Sequence, residues 1–108
     1  MLPLTDIKAQ LRLDQEDNSE DFYLQGLALA AVESVELSIN RKLYLDNAAL
    51  SGDPQAPAGA MVMTAGLKIA ALMVLSDLYN NREASAFTKI EDNPAVLKFI
   101  QPHRRMPG

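Results

Sequence analysis

The sequence predicts an all-α domain: a small bundle of two long and two short helices, with a long loop between the long helices. Apolar residues recur three and four positions apart in four segments, which is the period of one helix face. No stretch alternates apolar and polar residues over the length that a strand needs. The most apolar segment, residues 60–84, is expected to be the helix on which the others pack.

The first helix is predicted over Leu2–Leu13. Thr5 is expected to cap its N-terminus through the side-chain oxygen. Leu4, Ile7 and Leu11 are spaced three and four apart and form one apolar stripe.

The second helix is predicted from Ser19, as N-cap, to about Asn40. Its main apolar stripe is Leu24, Ala28, Ala31, Val32, Val35 and Ile39. A second apolar set, Phe22, Leu29 and Leu37, falls on another side of the same helix. A helix with one solvated face does not need this second set. Either other segments of the same domain cover the helix on two sides, or the second set is a subunit interface.

Residues 44–59 are predicted to be a loop, because Pro54 and Pro57 are turn residues and the segment exceeds the usual length of a connection. The segment has little charge and no reactive group of side chains. We expect it to protrude as a contact element and not to act as a catalytic lid.

The long helix that follows has a broad apolar face: Met63, Leu67, Ala70, Ala71, Val74, Leu75 and Leu78. Val62, Ile69 and Met73 fall on roughly the opposite face, and either other segments of the chain or a neighbouring subunit must cover them; the subunit interface is the candidate role. The apolar run over residues 60–75 is too short to span a membrane and contains Lys68, so no membrane partner is expected.

A last short helix is predicted over Pro94–Gln101, with Asn93 as N-cap and Pro94 at the first helical position. Its apolar face is Val96, Leu97 and Ile100. Pro102 ends it, and residues 102–108 are predicted to be a flexible basic tail in which Arg104 and Arg105 contact a partner.

The 108 residues predict a single domain with net charge −4. Residues 1–43 hold eight acids against four bases, whereas residues 81–108 hold three acids against five bases. This asymmetry is either a chance fluctuation in a short chain or a match between the acidic half of one copy and the basic tail of the next.

The sequence does not predict an enzyme. It has no cysteine and one histidine, His103, and a metal site needs several converging ligands. The five glycines form no phosphate-binding motif. The densest acidic group, residues 16–21, lacks neighbours that would separate the pKa values of its carboxyls, so it is predicted to be solvated. No catalytic residue, cofactor or metal is expected.

Several segments nevertheless resemble the head–tail connector family of long-tailed bacteriophages, in the same order along the chain. Residues 4–14 resemble the family's KxxLRID opening, and Leu11 and Arg12 lie in it. The acids Glu16, Asp17 and Asp21 with Leu24 resemble its DD…L region, and residues 30–33 resemble its AA…vE helix. Residues 78–83, LYNNRE, resemble its LYxNRE helix ending, which includes Tyr79, Arg82 and Glu83, and residues 94–104 resemble its closing LLxPxR segment.

This resemblance implies a structural role in the virion. Family members form a ring of about a dozen copies. The ring docks on the portal, extends the DNA channel and receives the tail or a stopper protein. The resemblance therefore implies partners in the portal, the tail and further copies of the chain, and DNA that passes without sequence readout. It implies assembly in the host bacterial cytoplasm, from a phage or prophage gene, and a location at the head–tail junction.

A small helical DNA-binding or regulatory protein is the alternative hypothesis, and the basic residues Arg104 and Arg105 favour it. Against it, a recognition helix exposes polar residues to the DNA groove, whereas the long helix of this chain is apolar.

Overall fold

Two helices, α2 (Asp21–Ile39) and α4 (Ala65–Asn80), pack side by side at the centre of the fold. The computed structural model describes residues 2–80 and 94–104. Within these ranges, α1 (Leu4–Leu11) and α5 (Pro94–Ile100) pack against the central pair, and a 3-10 turn, Gln101–His103, follows α5. The prediction of an all-α domain is therefore confirmed.

The core is formed where the predicted apolar stripes meet. All six residues of the main stripe of α2 are buried, as are Leu67, Ala70, Ala71, Val74 and Leu75 of α4. The largest fully buried side chains come from α1, α2, α4, α5 and the segment after α2, and they are Ile7, Leu24, Val35, Ile39, Leu43, Leu67, Leu75, Val96 and Ile100. Helical periodicity thus identified all of these residues except Leu43, which lies in no predicted helix.

Both predicted N-caps at the start of the chain are wrong. The N-cap of α1 is Pro3, and Thr5 lies inside the helix. The N-cap of α2 is Glu20. Ser19 instead donates its backbone N–H to Asp17 Oδ1 at 3.0 Å, and this hydrogen bond lowers the pKa of the Asp17 carboxyl below its ordinary value.

The first two helices both end in a left-handed residue. Arg12 has φ 59° and Asn40 has φ 56°. After α1, the N–H of Leu13 donates to Lys8 O at 2.8 Å, which closes the helix end in the manner of a Schellman motif. Asn tolerates this conformation better than most residues, whereas for Arg12 it carries a steric cost. The motif residue Arg12 is therefore the point at which the chain turns out of α1.

The segment predicted to be a loop, residues 44–59, contains regular structure and is flanked by it. β1 (Leu43–Tyr44) pairs in parallel with β2 (Met61–Val62), with Leu43 opposite Met61. Between the strands lies a short helix, α3 (Asn47–Ser51), and Asp46 caps it by accepting from Ala49 N at 2.8 Å. Strands of two residues are too short to show an alternation, so the sequence could not reveal them.

These strands also displace the predicted start of the long helix. Residues 61 and 62 are extended, and α4 begins at Ala65. Thr64 provides the cap, since its Oγ1 accepts from Leu67 N at 3.1 Å. Val62 therefore lies on β2 and not on the face of the helix with Ile69 and Met73. The predicted continuation over residues 81–84 lies outside the described residues, as does the predicted cap Asn93.

By length and composition, α2 alone among the described helices could cross a membrane. The core helix of a globular domain passes the same test. In this fold, the buried stripe of α2 contacts α1, α4 and α5, so α2 is a core helix of the domain.

Candidate subunit interface

The outward face of α2 carries large apolar side chains that nothing in the described part of the chain covers. Phe22 is 92% exposed, and Leu29 and Leu37 are each 75% exposed. At about 100° per residue, these three positions lie within one third of the helix circumference, about 150° from the centre of the buried stripe. Of the two alternatives raised by the sequence, a helix wrapped on both sides within its own domain does not describe this face.

Small and charged residues separate these apolar side chains. Gly26 and Glu33 lie on the same exposed face, and a Cβ atom added at Gly26 would meet nothing within 4 Å. A groove of about 670 Å³ runs beside Leu29, between α2 and the residues Leu2 and Leu43. We call Phe22, Gly26, Leu29, Glu33 and Leu37 the α2 seam, because they follow one line along the helix.

A second exposed apolar position lies on α4. Ile69 is 45% exposed and points about 160° away from the buried stripe of its helix. Met73 is only partly buried and packs against the core, and Val62 is partly buried on β2. Because α2 and α4 face each other through their buried stripes, the α2 seam and Ile69 lie on different sides of the domain. The six predicted interface residues therefore do not form one patch.

Lys8 connects two segments of the family resemblance. Its side chain is buried, and its Nζ lies 2.9 Å from Asp21 Oδ1 and donates to Gln15 O at 3.2 Å. The contact with Asp21 is ionic and lacks the alignment of a hydrogen bond. Lys8 thus fixes the N-terminus of α2 and the acidic turn before it against α1.

We expect Lys8→Met to lower the free energy of unfolding by about 2 kcal/mol, because Asp21 loses the cation that compensates its desolvation. Urea denaturation followed by circular dichroism measures this difference. The matched control is Lys68→Met. Lys68 also pairs with an aspartate, Asp6, but both side chains are more than one third exposed, so a change below about 0.5 kcal/mol is expected. Equal effects of the two substitutions would contradict the assignment.

Tyr79 connects the end of α4 to the same acidic turn. Its hydroxyl donates to Glu20 Oε2 at 2.6 Å, and its ring lies 6.4 Å from the ring of Tyr23. The family-motif residue Tyr79 therefore holds the C-terminal end of α4 to the N-terminal end of α2. The other predicted residues of this motif, Arg82 and Glu83, lie outside the described residues.

Arg41, for which the sequence indicated only a place at the C-terminal end of the second helix, holds three parts of the chain together. Its Nε donates to His103 O at 2.7 Å, and its Nη1 donates to Gly59 O at 2.9 Å. Arg104 Nε donates to Ser38 O at 3.0 Å. The described start of the tail, residues 102–104, is therefore held against the end of α2 and is not loose as predicted. Arg105 lies outside the described residues.

Two carboxylates organise the segment between β1 and β2. Glu36 Oε2 accepts from Leu43 N at 2.8 Å, which orients β1. The Tyr44 hydroxyl donates to Asp53 Oδ2 at 2.6 Å. This hydrogen bond lowers the pKa of the Asp53 carboxyl and raises the pKa of the Tyr44 hydroxyl from their ordinary values. These polar groups have structural partners, and their arrangement does not resemble a catalytic site.

Across residues 2–80 and 94–104, no three His, Asp or Glu side chains converge as metal ligands would. Three surface features are candidates for function: the α2 seam, the exposed position on α4 and the uneven charge. Such surfaces suit association with other proteins.

A family model matches nearly the whole chain. Residues 1–103 match the family model described as "Phage gp6-like head-tail connector protein". No curated protein and no solved structure shows a significant match to the chain. The family match covers every described element, from α1 to the turn after α5. The chain therefore belongs to the phage gp6-like head–tail connector family, which is structural and not enzymatic.

Proposed function

We propose that the protein is the structural subunit of a connector ring that docks on the portal, extends the DNA channel and joins the head to the tail. Family membership carries this proposal, and the exposed apolar side chains of α2 support it. The ring would assemble in the host bacterial cytoplasm and remain in the virion at the head–tail junction.

A closed ring requires two different surfaces on each subunit, because each copy meets its two neighbours through unlike patches. The α2 seam and the Ile69 side of α4 are two such surfaces. In the ring, the α2 seam of one copy would pack against the Ile69 side of the next copy. The partly buried Met73 and Val62 would contribute at the edge of that contact.

The charge of the chain suits a channel through which DNA slides. A net charge of −4 disfavours tight binding to phosphates, which would hold the DNA in place. The channel would therefore pass DNA without reading its sequence.

The direct test uses native mass spectrometry of the full chain, alone and with capsids that carry the portal but lack the connector. We expect rings, either free at high protein concentration or on the portal. A chain that stays monomeric and also fails to join such capsids would contradict the proposal. A gel shift with duplex DNA at low salt tests the alternative of a DNA-binding protein, which predicts a salt-sensitive shifted band.

A further inference from the structure

We propose that two copies of the free protein pair through their α2 seams, with the two helices antiparallel about a two-fold axis. In solution, a second copy of the same chain then covers the exposed face of α2. This pairing stands on the geometry and charge of α2 alone, and it differs from the heterologous contact of a ring.

The α2 seam is almost symmetric about its own midpoint. Phe22 and Leu37 lie equally far from the midpoint between residues 29 and 30, and so do Gly26 and Glu33. In an antiparallel pair centred there, Phe22 lies beside Leu37 of the partner subunit. The side chain of Glu33 lies over Gly26 of the partner subunit, where the missing Cβ leaves room. The seam is therefore complementary to itself in this direction.

Positions 29 and 30 meet their own counterparts near the two-fold axis. Leu29 lies on one edge of the seam and the exposed Ala30 on the other. The two-fold axis is perpendicular to the plane that contains both helices, so it does not exchange the two edges of the seam. Leu29 therefore meets Leu29 of the partner subunit, and Ala30 meets Ala30 of the partner subunit. The groove of about 670 Å³ beside Leu29 offers space for the partner's leucine.

Charge selects the antiparallel direction. Residues 13–40 contain seven acids and no base, and five of the seven, Asp14, Glu16, Asp17, Glu20 and Asp21, lie at the N-terminal end of α2. Within one copy, Lys8 forms an ion pair with Asp21. The C-terminal end of α2 carries Arg41, Lys42 and Arg104. Antiparallel packing brings the acidic end of each copy to the basic end of the other, whereas parallel packing would place like charges together.

The pair is expected to be weak. From Phe22 to Leu37 the seam spans about 22 Å at 1.5 Å per residue. One helix face of this length belongs with interfaces that bury less than about 1,200 Å² in total, which are transient. The pair would therefore form and open reversibly. If the proposed ring uses the same seam, pairing and ring assembly exclude each other, so the pair protects the apolar face until assembly.

Because the chain contains no cysteine, a single introduced cysteine reports the contact without background. Under mild oxidation we expect Ala30→Cys to form a disulfide-linked dimer at least about ten-fold faster than Ala9→Cys, since pairing raises the effective concentration of the two thiols. Ala9 is the matched control, because it is also an exposed helical alanine but lies on α1. Equal rates for the two variants, or no dimer of Ala30→Cys, would overturn the pairing.

Two further variants test the direction. In the antiparallel pair, Phe22→Cys with Leu37→Cys in one chain cross-links between copies, whereas Phe22→Cys alone does not. Efficient cross-linking of Phe22→Cys alone would show a parallel contact and refute the proposal. A ring contact between the α2 seam of one copy and α4 of the next would not bring two Ala30 positions together. The Ala30→Cys cross-link therefore tests the pair and not the proposed ring.

A ring that uses the same seam gives one further expected result. Oxidised Ala30→Cys should lose assembly on portal-bearing capsids and regain it on reduction.

Discussion

Leu37→Asp is expected to weaken assembly at least about 100-fold and to leave the isolated domain folded. In any contact made by the α2 seam, the carboxylate would be taken out of water against apolar side chains, which costs several kcal/mol. In the free chain, Leu37 is 75% exposed, so its replacement should change the free energy of unfolding by less than about 0.5 kcal/mol. Sedimentation measures assembly, and circular dichroism during urea denaturation measures folding.

Two controls accompany this substitution. Leu37→Met keeps the apolar surface and should assemble normally. Gln10→Asp adds the same charge at an exposed position of α1, away from the α2 seam, and should also assemble. If Leu37→Asp assembles as well as these controls, the α2 seam is not an interface. If it unfolds instead, Leu37 belongs to the core, against its observed exposure.

Arg41→Ala is expected to lower the free energy of unfolding by about 3 kcal/mol. The guanidinium donates to the carbonyl oxygens of Gly59 and His103, which lie 18 and 62 residues further along the chain. Removing it leaves both acceptors without their donor and releases the turn after α5. Thermal and urea denaturation of the full chain measure the loss.

The neighbouring residue provides the control for Arg41. Lys42 is exposed and lies 6.0 Å from the centre of the Tyr44 ring, so Lys42→Ala is expected to cost less than about 0.5 kcal/mol. Arg41→Lys should fall between the two, because an ammonium group cannot reach both carbonyls with the geometry of the guanidinium fork. If Arg41→Ala and Lys42→Ala are equally mild, Arg41 does not hold the three segments together.

The sequence was sufficient to predict α1, α2, α4 and α5 and most of the core between them. The stripe from Leu24 to Ile39 and the stripe from Leu67 to Leu75 are buried as predicted, because the helical period alone decides which side chains point inward. The same period separated Phe22, Leu29 and Leu37 from the core. The prediction that a neighbour covers these three residues is not tested by the structure of one chain.

The polar interactions could not be predicted in the same way. Arg41 reaches Gly59 and His103 across 18 and 62 residues of chain, and no local pattern encodes such distant partners. Lys8 could have been suspected from its place near the apolar residues Ile7 and Leu11. The predicted caps Thr5 and Ser19 were wrong because neither helix begins with a side-chain cap: the N-caps are Pro3 and Glu20, and neither makes a side-chain cap hydrogen bond.

The parallel pairing of β1 and β2 brings the two ends of residues 45–60 next to each other. A segment whose ends are already clamped can change in length at little entropic cost, because loop closure depends only weakly on the number of residues. The sequence and the length of residues 45–60 can therefore change while the helices keep their packing.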